Sequence, residues 1–302
     1  MSGPKRTIYF MEPVVLDAKG KVSPIQVGFW DALHDHVSTL QPASRSAEIF
    51  GRRIDGEAAE ALSPARKYLY VGKHRPKADW PHATDASGVT GAIDSSVVSA
   101  IIEYAYLLPV PGTNYVGLLR SSGGATFSAL EAWLTSVCPK LPQGGSVVLR
   151  PYVRKDQLER LAKARGASKV ELKIDPNTFG TKAPVGGDLA GALAEAQEIA
   201  GGGVSVELSL SFGRATPSEA GSENLAKQVQ ALLKSGIPLQ KAKATVVNED
   251  EHGKLVRDHI DFFRDRVTVT SEVGASEDEA PTPSAAVSAI TEATKTFLKR
   301  LD

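Results

Sequence analysis

The stretch from Tyr115 to Ile174 constrains the fold more than any other part of the chain. Its apolar runs, Tyr115–Leu119, Val147–Leu149 and Val170–Ile174, alternate with two segments of helical periodicity. Strand, helix, strand, helix, strand at this spacing predicts crossover units. In the first helical segment Phe127, Leu130, Trp133, Leu134 and Val137 recur at spacings of three and four and form one apolar stripe. In the second, Asp156 reads as the N-cap and Glu159 as its capping partner, with Leu158, Leu161 and Ala162 facing inward. Gly166 is expected to stop that helix in a left-handed conformation. Arg160 and Lys163 fall together on its outer face. The last strand alternates Val170, Leu172 and Ile174 against Lys169, Glu171 and Lys173.

Charge gives this stretch its interest. The whole chain balances 35 Lys+Arg against 35 Asp+Glu, so no global field draws a polyanion and any such binding needs a local patch. Residues 150–173 hold eight Lys/Arg (150, 154, 155, 160, 163, 165, 169 and 173) against three acids (156, 159 and 171). The competing account is that these are the solvated faces of a helix and a strand, which are ordinarily charged.

A length of 302 residues allows two domains or one large one, and 42% apolar with 23% charged residues is ordinary for a globular protein. No segment approaches the roughly 20 apolar residues of a membrane span. The start, MSGPKRTIYF, has no apolar core of a signal peptide. The single cysteine, Cys138, excludes an internal disulfide and a multi-cysteine zinc site, and its place at the end of an apolar helix suits a buried inert thiol. The expected setting is cytoplasmic.

Along the chain, Thr7–Phe10 reads as a strand, and Ser23 with Pro24 as the cap and first residue of a helix. Its buried stripe would be Ile25, Phe29, Leu33 and Val37. Residues 66–71 read as a strand, 76–94 as an irregular loop, and 101–108 as a strand forming a hairpin with the Tyr115 strand. Residues 175–187 are rich in Gly and Pro and mark a boundary. The expected division is an N-terminal α/β domain (1–175), a linker (176–187) and a C-terminal α+β domain (188–302). The last contains a helix capped by Asp188, a strand over 204–212, a helix through Leu225, Val229, Leu232 and Leu233, a hairpin around the turn NEDEHG, and a third strand at 266–270. An acidic stretch (272–280) precedes a terminal helix after Pro283, which docks on its own core or on a second subunit.

The search for chemistry returns little. SSGG at 121–124 lies between strand and helix, where a phosphate cradle would sit, but lacks the endings of a P-loop or a dinucleotide site. His34 and His36, two apart on a helix, point in different directions. The remaining histidines have no metal-ligand spacing. There is no nucleophile elbow, so no catalytic residue, metal, cofactor or small-molecule substrate is expected. A second basic zone, 45–77, interleaves eight Lys/Arg and four acids with Tyr68, Tyr70 and nearby Trp80. Basic residues among aromatics suit nucleic-acid contact, although strand tyrosines also pack.

Several segments together resemble the Rex phage-exclusion family of lambdoid phages. They are KYLYV (67–71), YVGLLRSSGGATFSALEAWL (115–134), SVVLRPYVRKDQLERL (146–161), SVELSLSFGR (205–214), KATVVNEDEHGKLVRDHI (243–260) and FLKRL (297–301). The resemblance is one of order rather than of a catalytic signature, and the segments at 76–94 and 175–187 have no counterpart in it. It implies a homodimeric, sequence-nonspecific double-stranded DNA-binding protein of a temperate phage or prophage. Such a protein acts in superinfection exclusion, in anti-phage defence and in the lysis–lysogeny decision, with a membrane protein of the RexB type as partner. It also implies a two-domain α+β architecture similar to the recombination-associated protein RdgC. From it comes one site residue, Arg214.

The sequence expectation is therefore a non-enzymatic DNA-binding protein in the bacterial cytoplasm. Arg150, Arg154, Lys155, Arg160, Lys163, Lys169, Lys173 and Arg214 would contact phosphates, which carry affinity without sequence information. The rival is a protein-interaction or sensor module of an abortive-infection system.

Overall fold

The computed structural model describes residues 3–18, 21–62, 65–151, 155–174, 189–200, 204–213, 218–234, 237, 239–250, 252, 254–262, 268–274, 276 and 282–301. In chain order the elements are β1 (Lys5–Leu16), β2 (Val22–Pro24), α1 (Phe29–Thr39), β3 (Ser46–Ile49), β4 (Arg52–Leu62), β5 (Ala65–His74), β6 (His82–Thr84) and β7 (Thr90–Ala92). Then come β8 (Ile102–Pro109), β9 (Val116–Arg120), α2 (Phe127–Val137), β10 (Ser146–Pro151), α3 (Lys155–Lys163) and β11 (Gly166–Ile174). The rest are α4 (Leu189–Ile199), β12 (Val206–Ser211), α5 (Glu219–Lys234), β13 (Leu239–Glu249), β14 (Leu255–Asp261), β15 (Thr268–Glu272) and α6 (Pro283–Leu298). The architecture is α+β, with three antiparallel sheets among the described residues.

The large sheet has the order β10-β1-β9-β8-β5-β4-β3, with β2 and β15 also paired to β1. Its strands bury both faces, so both must be covered. Met11, Leu69, Val71, Leu107 and Leu118 pack under α1 and α2 on one side. Ile8, Phe10, Leu108 and Leu119 pack under α6 on the other. Thr126 caps α2, its Oγ1 accepting from Ala129 N at 3.2 Å. Gly56 on β4 lets α2 approach: a Cβ there would lie 1.7 Å from Trp133 Cζ2.

The pairing of β1 decides the topology. Tyr9 pairs with both Leu118 and Thr268, and Met11 with both Val116 and Pro151. Hence β9 lies on one edge of β1, and β10 and β15 share the other. Strands β9 and β10, each antiparallel to β1, are parallel to one another, and α2 joins them across β1. Of the expected crossover units the first is present in split form, around an intervening strand, while the second is not, because β10 and β11 on either side of α3 belong to different sheets. Strands β10 and β15 form one line: the first ends opposite Met11, the second begins opposite Tyr9, and the interruption falls opposite Phe10. Between these two strands the chain builds the second sheet, β12-β11-β13-β14. Its core joins Val170, Leu172 and Ile174 to Leu161 of α3, Leu193 of α4 and Val229 of α5.

Several expectations change. The division at 176–187 does not follow the strand pairing. β11, before it, pairs with β12 and β13, beyond it, while β15 and α6 return to the large sheet. The third strand of the C-terminal half is thus β15, a partner of β1. The linker itself and Asp188 lie outside the described residues. Ser23 and Pro24 do not open a helix but pair with Val15 and Val14 in β2, and α1 starts at Phe29 behind Gly28 at φ 95°. Cross-strand hydrogen bonding overrides the local helix-start signal. Gly166 opens β11 rather than ending α3 in a left-handed turn. A Cβ there would meet Ser222 Oγ at 2.5 Å, so its bareness admits α5. Asp156 falls inside α3, which begins at Lys155. The loop at 76–94 contains the small β6–β7 hairpin. Among the described residues no helix is long and apolar enough to cross a membrane.

Candidate nucleic-acid interface

The second sheet has helices packed on one face, which leaves the alternate residues of its strands on the other. On β11 these are Lys169, Glu171 and Lys173. The register sets Ser211, Ser209 and Glu207 of β12 on one side of them, and Thr245, Lys243 and Lys241 of β13 on the other. Strand β14 adds His259 opposite Thr245 and Asp261 opposite Lys243. Lysines thus come from two neighbouring strands, and the one ring among these positions is the His259 imidazole on β14, its Nδ1 3.0 Å from Thr245 Oγ1. Such a face offers ammonium groups to a backbone of phosphates and no Phe, Tyr or Trp for stacking bases.

These charges are organised by acids within the face. Glu171 accepts from Lys169 on one oxygen and from Lys241 on the other, the second at 2.7 Å. Lys241 also meets Glu207 at 2.7 Å, and Lys243 meets Asp261 at 2.9 Å. The hydrogen bonds from Lys169 and then Lys241 hold the Glu171 carboxyl down to about 2. In return Glu171 and Glu207 push the Lys241 ammonium well above its ordinary value.

The expected cationic stretch does not form one surface. Arg150 belongs to the large sheet, opposite Glu12 and ion-paired with it at 2.6 Å. Arg160 donates to Gln157 at 2.9 Å and pairs with Asp258. Asp258 stands opposite Val246, whose side chain lies in the helix-side core. Arg160 and its helix are therefore on the covered side of the second sheet. Lys163 on that helix pairs with Glu159 at 3.6 Å. Only Lys169 and Lys173 of the described candidates reach the open face. Arg154, the side chain of Lys155, and Arg214 lie outside the described residues. Lys241 and Lys243 were missed because they lie far along the chain. Their signal was the alternation Lys241, Ala242, Lys243, Ala244, which matches that of β11.

The other candidates have structural explanations. In the second basic zone Arg52 pairs with Asp79 at 3.2 Å, Arg53 with Asp55 at 2.9 Å, and Lys67 with Asp35 at 2.8 Å. Tyr68 and Tyr70 pack with Tyr104 and Tyr106 beside the α6 core. In the SSGG turn Ser121 donates to Glu103 at 2.7 Å, and a Cβ at Gly123 would meet that carboxylate at 2.7 Å. An acid already fills the turn and repels a phosphate. His34 is buried, with Nε2 at 3.1 Å from the Ala59 carbonyl. Cys138 is half-buried, and burial pushes its thiol up. Among the described residues no group of three or more His, Cys, Asp or Glu is placed to hold a metal. No protein-family model matches the chain, and a search of curated proteins finds no match.

Proposed function

We propose that the protein binds double-stranded DNA without sequence preference, through phosphate contacts made by Lys169, Lys173, Lys241 and Lys243. The observation that carries this reading is the gathering of lysines from two adjacent strands on a helix-backed sheet face that carries no Phe, Tyr or Trp. The biological setting proposed with it is phage exclusion as a homodimer of Rex type, with a RexB-like membrane partner. That setting rests on the segments of sequence that resemble the family.

A gel-shift titration with unrelated duplexes at two salt concentrations tests the reading. Comparable binding of every duplex is expected, falling steeply with salt as the entropy gained by releasing condensed counterions shrinks. Replacing Lys169, Lys173, Lys241 and Lys243 by Ala should weaken all duplexes alike, by about tenfold or more, whereas replacing Arg160 and Lys163 should do less. Absence of binding at low salt would overturn the proposal and favour the protein-interaction reading.

A further inference from the structure

Resting on the reading of the open face as the DNA surface, we infer that Glu171 is a built-in competitor of the phosphate backbone and limits affinity. Its two carboxylate oxygens take ammonium groups from two strands: Lys169, two residues before it on β11, and Lys241 on neighbouring β13, the latter at 2.7 Å. An anion held between lysines on adjacent strands occupies the position that a phosphate oxygen would take. A duplex therefore engages Lys169 and Lys241 only by displacing the carboxylate. It then faces Glu171 as an unpaired negative charge beneath it, because this carboxyl stays ionised at any neutral pH. Glu207 holds Lys241 from the other side at 2.7 Å and remains after Glu171 is neutralised. The cation set free by that neutralisation is chiefly Lys169. The face thus carries an internal brake, and the bound state is kept weak and exchangeable.

The test compares the full chain with E171Q and E198Q on the same duplex across a salt series. In E171Q the amide keeps the shape of the carboxylate and removes its charge. Glu198 is exposed on α4, on the helix-covered side, so E198Q makes the same change in net charge away from the face. The expected result is binding about fivefold to tenfold tighter for E171Q, with a salt slope steeper by about one phosphate contact, and less than twofold change for E198Q. Circular dichroism of E171Q checks that the variant is folded, and the double variant E171Q/E207Q, which frees Lys241 as well as Lys169, provides a second face variant expected to bind tighter still. Equal tightening by E171Q and E198Q would assign the effect to net charge and overturn the inference. Unchanged or weaker binding by both face variants, with the parent still binding, would overturn it while leaving the DNA reading intact. No binding by the parent or by either face variant at low salt would remove the DNA reading and the inference together.

Discussion

Gly56 and Glu171 show two ways in which single residues are fixed by their neighbours. A Cβ on Gly56 has Trp133 Cζ2 at 1.7 Å, and Trp133 is itself anchored by its Nε1 donating to the Arg45 carbonyl at 3.0 Å. The ring cannot yield without losing that bond, so Gly56→Ala is expected to cost about 3 kcal/mol, read from urea denaturation. Glu171 makes an electrostatic prediction. Its carboxyl sits near 2 in the folded protein against an ordinary 4.5, so the unfolded chain binds the proton more readily. The stabilisation this group supplies is complete above about pH 4.5 and is lost as the pH falls toward 2. The stability of E171Q should therefore fall less than the parent's between about pH 5 and pH 3, measured by urea midpoints; parallel profiles would contradict the ion-pair geometry. Neither environment was legible in sequence. Gly56 lies in a strand far from Trp133, and the partner of Glu171 on β13 is separated from it by two helices and a strand.

At the scale of elements, periodicity predicted more than position. The α6 stripe of Ala286, Ile290, Ala293 and Phe297 was readable, and all four are buried. What they pack on was not readable, because β1 and β9 lie far earlier in the chain. Phe297 stacks on Phe10 with ring centroids 4.1 Å apart and planes 3° from parallel. Phe297→Ala is expected to cost about 3–5 kcal/mol, seen as a lowered thermal midpoint. Removing 272–302 would strip α6 from Ile8, Phe10, Leu108 and Leu119. That truncation should expose the large sheet and raise binding of a hydrophobic dye. A truncated protein that melted like the parent would place α6 outside the core. Local signals failed where pairing intervened: Ser23–Pro24 carries a helix-start pattern, yet β1 offers it an edge.

For the whole molecule, the mixture of helices and strands follows from the two periodicities, and the split crossover of β9, α2 and β10 from their spacing. Sheet membership does not, since the Gly/Pro-rich segment at 175–187 looked like a boundary between domains, while the boundary in space falls at Pro151 and again at Thr268. Those two points face neighbouring positions of a single strand, on either side of Phe10. The second sheet with its helices is therefore a detour in an otherwise continuous ribbon, and one excision should restore the ribbon. Joining Pro151 to Thr268 through two or three glycines should yield a protein that keeps the cooperative melting of the large sheet and has lost the proposed affinity for DNA. If the shortened protein failed to fold, the detour would be a structural dependency. If it folded, the proposed binding surface would be a cassette, removable at one seam and open to grafting into another host strand.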